Sequence, residues 1–275
     1  MKKQIKKTEE TKELPIRPMF PNMVTMMALA CGVSSMQFAF WSNWGAAVLS
    51  IALAAVFDAL DGRVARYLNT SSRFGAELDS LSDLVSFGVA PGFLLYQWTM
   101  DPAIRATAVA EGVKDPLAVG VPWMIVLFFA MCCALRLARF NTMLDDEPQP
   151  PYWKHFFMGL PAPGGAYLGL LPLVFYLWTK NDFFKNEYLV SGFMVVSAVL
   201  MASRIPTPCF KKVHLPKLKP AYRQITTVAM LALLACFVTF MFKNFWAFAS
   251  IVGLIYVLML PAGIVFFFQQ KRFYR

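Results

Sequence analysis

Residues 56–88, VFDALDGRVARYLNTSSRFGAELDSLSDLVSFG, put four aspartates (Asp58, Asp61, Asp79 and Asp83) inside or beside apolar sequence. The run from Trp44 to Phe57 before them carries no charge, and neither does Leu84 to Met100 after them. An ionised carboxylate at membrane depth costs about 3 kcal/mol, so it normally faces a cavity, a partner or a bound cation. Residues three and four apart share a helix face, so Asp58 points with Asp61 and Asp79 with Asp83. The polar segment between the pairs, RYLNTSSRFG, ends in Gly75 and reads as a short connection between two antiparallel helices. Two carboxylate pairs that meet across such helices make an all-oxygen site. That chemistry suits one or two hard divalent cations, Mg²⁺ or Mn²⁺ with Ca²⁺ also admissible, rather than zinc.

Working outward, the 275-residue chain is 58% hydrophobic and only 15% charged. Soluble domains carry roughly 25% charged residues, so the expected fold is all-α, a polytopic membrane helix bundle. Apolar runs near the bilayer-spanning length of roughly 20 residues recur about eight times. The expected spans are 20–41, 45–66, 76–98, 121–141, 159–178, 187–204, 225–243 and 245–268. The organisation follows: a basic N-terminal arm (1–19), a catalytic transmembrane core of six spans (20–204), a basic loop (205–224), and two further transmembrane helices with a short basic tail (225–275).

The net charge of +10 sits in the loops that flank apolar runs. It clusters in the N-terminal arm, the loop RIPTPCFKKVHLPKLKPAYR (204–223) and the C-terminal tail, with Arg63, Arg66 and Arg73 beside the aspartates. Positive-inside asymmetry then puts both termini and the aspartate cluster on the cytosolic side, and a bacterial inner membrane is the expected host. The same distribution favours a bilayer with anionic lipid as the partner and excludes nucleic acid. Trp41, Trp44, Trp98, Trp123, Trp178 and Trp246 fall near expected span ends, as interfacial aromatics do. Five cysteines without metal-ligand spacing and two loop histidines, His155 and His214, exclude a zinc site or a disulfide framework. The first apolar run ends without a small-residue cleavage site, so a cleaved leader is not expected.

Written as a pattern, the cluster is Asp58-x2-Asp61-Gly62-x2-Ala65-Arg66-x8-Gly75-x3-Asp79-x3-Asp83, eight fixed positions across 26 residues. This resembles the signature of the CDP-alcohol phosphatidyltransferase family at every position. The stretches MFPNMVTMMALACG, FGAELDSLSDLVSFGVAPG, LRLARFNTM and FMGLPAPGGA are similar to the family's phosphatidylserine synthase branch. The resemblance implies transfer of a phosphatidyl group from CDP-diacylglycerol to the hydroxyl of L-serine, with release of CMP, and leaves a homodimer open. It implies that Asp58, Asp61 and Asp79 are metal ligands, and that Asp83 is a further ligand or the general base. Gly62 and Ala65 would pack against the cytidine nucleotide, and Gly75 belongs to the same binding region.

Side-chain chemistry agrees with these roles. Donor pyrophosphate and four carboxylates repel each other unless cations bridge them. Arg66, eight residues from Asp58, stays on the carboxylate face and offers a planar fork for phosphate oxygens. Asn22, in the first turn of the first span, is a candidate contact for nucleotide phosphate. A serine acceptor brings a carboxylate, which Arg136 and Arg139, three residues apart near the end of the fourth span, could pair, with Asn141 adding a polar contact. Glu77 falls off the metal face and is given no role, while Ser86 falls on it. Two other readings stay open: a family member using glycerol 3-phosphate or an inositol phosphate, and, from a different class, a cation transporter with buried carboxylates along its path.

Overall fold

Small residues recur through the first apolar run at spacings of three and four, and they determine how its helix packs. In the computed structural model, which describes residues 19–70, 72–99, 116–143, 156–208, 239–241 and 243–273, helix α1 (Met19–Phe40) buries Pro21, Thr25, Ala28, Gly32, Ser35 and Ala39. Met23, Met26, Met27 and Val33 on the same helix are exposed. Small and hydroxylated residues inside with large apolar ones outside is the pattern of a helix that meets protein on one face and lipid on the other.

Helix α2 (Trp44–Leu68) follows, opened by Asn43, whose side chain accepts from the Ala46 N–H at 3.2 Å. It ends at Asn69, a left-handed residue with φ 52°, and the Thr70 N–H bonds the Ala65 carbonyl at 3.0 Å. Ser72 then caps a new helix by accepting the Gly75 N–H at 3.0 Å. Helix α3 (Arg73–Thr99) therefore starts earlier than expected, with α2 running on to Leu68 before it. Gly75 lies in the first turn of α3 rather than at the end of the connection. A cap of this kind overrides the polar composition of RYLNTSSRFG, from which the longer loop was expected.

One turn of α3, Leu84–Val89, is π-helical, and the Ala90 N–H closes it onto the Val85 carbonyl. There the Ser86 hydroxyl donates to Ala28 O (3.3 Å), and one turn earlier Ser82 donates to Thr25 O (3.2 Å), so α3 is tied to α1. Contact is so close that a Cβ on Gly32 would lie 2.7 Å from the Ser86 Cα. Gly32→Val should therefore push α1 from α3 and destabilise the fold by about 1–3 kcal/mol, seen as a lowered thermal midpoint in detergent. Unchanged stability would mean that the helices are not in register here.

Helices α4 (Pro116–Met143), α5 (Ala162–Thr179), α6 (Glu187–Ala202) and α7 (Phe245–Phe273) complete the described bundle. α3 packs on α1 and α4, α4 on α6, and α5 on α6 and α7. Phe87, Leu94, Leu95, Phe129, Leu170, Leu173 and Val174 form its centre. Trp98, expected at the interface, is instead 3% exposed and packs against Tyr176 at 5.4 Å between ring centroids.

The chain is a polytopic membrane helix bundle. Five of its described helices are long and apolar enough to cross a bilayer: Met19–Phe40, Trp44–Leu68, Arg73–Thr99, Gly120–Thr142 and Phe245–Gly263. α5 and α6, with 18 and 16 residues, occupy the expected fifth and sixth spans. The expected seventh span, 225–243, lies largely outside the described residues, as do His155 and His214. One departure from pure helix is a short antiparallel pair, β1 (Phe156–Met158) with β2 (Pro206–Pro208). Prolines hold the second strand extended, and Thr207 Oγ1 adds a bond to Gly159 O at 2.8 Å. The pair ties the segment before α5 to the segment after α6.

Candidate active site

The α2–α3 hairpin brings the aspartates together. Carboxylate oxygens of Asp58, Asp61 and Asp79 all lie within 4.8 Å of one another. Oxygens bound to one hard cation at about 2.0–2.6 Å are at most roughly 4–5 Å apart, so this donor set fits a Mg²⁺-, Mn²⁺- or Ca²⁺-sized ion. Asp61 is 5% exposed, and the Thr25 hydroxyl donates to its Oδ2 at 2.5 Å. A hydroxyl carries one proton, and a charged acceptor takes it in preference to the Pro21 carbonyl, 3.1 Å away. Thr25 thereby orients the Asp61 carboxylate, as an outer partner orients a ligand in metal sites. The sequence reading missed Thr25; its signal was a lone hydroxyl one turn beyond Pro21 in an apolar run.

Asp83, 9% exposed, lies a helical turn beyond Asp79 and outside the three-carboxylate group. It neighbours Asp58 and lies within electrostatic reach of Arg136 on α4. Arg136 and Arg139 sit on one face of α4 but are engaged differently. Arg139 Nη1 donates to the carbonyls of Ala202 (2.8 Å) and Ser203 (3.3 Å), satisfying the end of α6. Arg136 faces Asp58 and Asp83, and its Nε is buried without a hydrogen-bond partner. Asn141 joins the outer side of α3, where its Oδ1 accepts from Ser80 at 3.1 Å and its Nδ2 reaches Glu77 at 3.5 Å. Ser86 is fully buried, with its hydroxyl spent on α1.

Beside the carboxylates is a cavity of about 170 Å³, lined by Asn22 and Thr25 from α1, by Asp61, Gly62 and Ala65 from α2, and by Gly75, Ala76 and Asp79 from α3. A Cβ on Gly62 would meet nothing within 4 Å, so that position is open. A Cβ on Gly75 would come 3.2 Å from Asn22 Oδ1, so glycine there lets α1 close against α3. Arg66 is exposed outside this lining, and its Nε donates to the Gly62 carbonyl at 2.9 Å. Four carboxylates facing one buried guanidinium leave an excess of negative charge, which a cation offsets and a bare anionic substrate would not.

Residues 18–205 match the model of the CDP-alcohol phosphatidyltransferase family. The chain is 39% identical over 217 residues to the CDP-diacylglycerol–serine O-phosphatidyltransferase of Mycobacterium leprae, covering 78% of this chain and 65% of that protein. It is 36% identical over 204 residues to the protein of that name from Helicobacter pylori J99, covering 73% of this chain and 77% of that one. Its counterpart in Saccharomyces cerevisiae is 44% identical over 138 residues, half of this chain and 43% of the yeast protein. The chain thus spans about two thirds of the length of the mycobacterial protein it matches. Helix α7 lies beyond the family match.

Proposed function

The chain belongs to the CDP-alcohol phosphatidyltransferase family, and from that premise we propose that it transfers the phosphatidyl group of CDP-diacylglycerol to the hydroxyl of L-serine, giving phosphatidylserine and CMP. One observation carries the reading: Asp58, Asp61 and Asp79 converge within 4.8 Å beside a cavity left open at Gly62. A divalent cation bound there, Mg²⁺ or Mn²⁺, supplies neutralisation of the donor pyrophosphate and of charge on the departing CMP.

The chain's own residues do the rest. Gly62 and Ala65 leave room for the nucleotide to approach α2. Arg66, anchored through Nε to the Gly62 carbonyl, keeps its terminal nitrogens for the pyrophosphate. The serine oxygen attacks the phosphatidyl phosphorus in line, the bond to the CMP oxygen breaks, and Asp83 accepts the hydroxyl proton. Arg136 pairs with the serine carboxylate, since its Nε is unspent where Arg139 is tied to α6. Positioning and electrostatics account for most of the rate. The loop charges support a site at the cytosolic face.

Purified protein given CDP-diacylglycerol and Mg²⁺ or Mn²⁺ should release CMP with L-serine and form phosphatidylserine. Chelation should abolish this, and restoring the ion should recover it. CMP release with glycerol 3-phosphate or an inositol phosphate, and none with serine, would overturn the choice of acceptor while leaving the reaction class in place.

A further inference from the structure

The carboxylate faces of α2 and α3 do not stop at the carboxylates. Val48, Ile51 and Ala55 precede Asp58 and Gly62 at alternating intervals of three and four, so all five share one stripe of α2. On α3, Phe87 follows Asp79 and Asp83 at intervals of four. Past the carboxylates both stripes enter the lining of an apolar cavity of about 480 Å³. Residues of α5 and α7 complete its walls, among them Val174 from α5 and Val252 from α7. Among the described residues no charged side chain lines it, and Tyr167 in its wall spends its hydroxyl on the Ala249 carbonyl. Along α2 the cavity runs from Val48 to Ala55, about 10 Å at about 1.5 Å per residue, and Ala55 is one helical turn from Asp58. Helix α7, which closes it, lies beyond the residues matched by the family.

We propose that this cavity is an acyl-chain subsite for the donor, holding the ester-proximal part of one fatty chain of CDP-diacylglycerol while the pyrophosphate meets the carboxylates. An apolar cavity stays dry and takes hydrocarbon rather than water. A lipid tail gains little by leaving the bilayer for apolar protein, since the two are about equally apolar. The effect of the subsite is therefore positional: a chain seated along the stripe that leads to Asp58 fixes the phosphorus at the end of that stripe. An extended chain advances about 1.3 Å per carbon for C–C bonds near 1.5 Å, so about eight carbons fill the length. The same stripe goes on to Gly62 in the cavity beside the aspartates, which the cytidine of the donor occupies and an ordinary phospholipid leaves empty. The inference rests on CDP-diacylglycerol as donor and is independent of the acceptor.

The test fills the cavity from two walls, with Ala52→Phe on α2 and Val252→Phe on α7, both exposed residues of its lining. CMP release is compared for CDP-dioleoylglycerol and CDP-dibutyrylglycerol. The butyryl chains reach only about 5 Å and stop short of Ala52, which lies about 9 Å along α2 from Asp58. Either plug should lower kcat/KM for the dioleoyl donor roughly tenfold and leave the dibutyryl donor within about twofold. A second measurement needs no variant: a long-chain donor carrying a diazirine about six carbons from its ester should label wild-type protein on the cavity walls, α7 included. Excess CDP-dioleoylglycerol should suppress that labelling. Equal losses or no loss with both donors, or walls that stay unlabelled, would sink the inference. Labelling that excess donor does not reduce would assign the cavity to bulk lipid and sink it too. Those outcomes leave the reaction class standing, whereas wild-type protein that releases no CMP from either donor would remove the proposed function and this inference together.

Discussion

Asp79→Asn should lower turnover roughly a thousandfold and weaken the response to added Mg²⁺ or Mn²⁺. Asp79 is the one member of the three-carboxylate group that α3 supplies; Asp58 and Asp61 both come from α2. Asparagine keeps the volume and one oxygen but removes the charge, so the hairpin can still fold while its cation loses a ligand from the opposite helix. A bound metal contributes several kcal/mol to stabilising transition-state charge, and each 1.4 kcal/mol is about tenfold in rate. The measurement is CMP release as a function of metal concentration, with a thermal midpoint in detergent to confirm folding. Wild-type turnover with an unchanged half-saturating metal concentration would remove Asp79 from the site.

Asp83→Asn should be nearly as damaging and leave a different signature. General base catalysis contributes about 10²- to 10⁴-fold, so kcat should fall by that order. Asp83 is outside the 4.8 Å group, and metal dependence should stay as in the wild type. The pair of variants separates the two roles open to Asp83. A parallel loss of rate and metal response would make it a further ligand, and retention of wild-type kcat would remove it from the chemistry.

Much of this site could be read from the chain because helix geometry is local. Spacings of three and four place Asp58 with Asp61 and Asp79 with Asp83 in any α-helix, and a hairpin then leaves the two faces little choice but to meet. What the spacing could not show was tertiary. Arg136 and Arg139 share a face by the same rule, yet the carbonyls of Ala202 and Ser203 engage one and leave the other to the aspartates. Thr25 reaches the site from a remote helix, and no periodicity announces it. Gly75 was misplaced because a single cap, Ser72, starts α3 inside a polar stretch. Trp98 turned inward because Tyr176 is there to receive it. The β1–β2 pair, three residues on each side, is too short to leave a pattern.

The π-helical turn at Leu84–Val89 acts as an index between two halves of one helix. On one side of it Leu94, Leu95 and Trp98 are locked into the core, and on the other Asp79 and Asp83 face the chemistry. One residue subtends about 100° of helix. A chain one residue shorter in that turn would restore regular bonding and swing both carboxylates about that far from α2, with every side chain of the site still present. The active geometry is thus a matter of rotational phase, set by the slack of a single residue a few positions after Asp83.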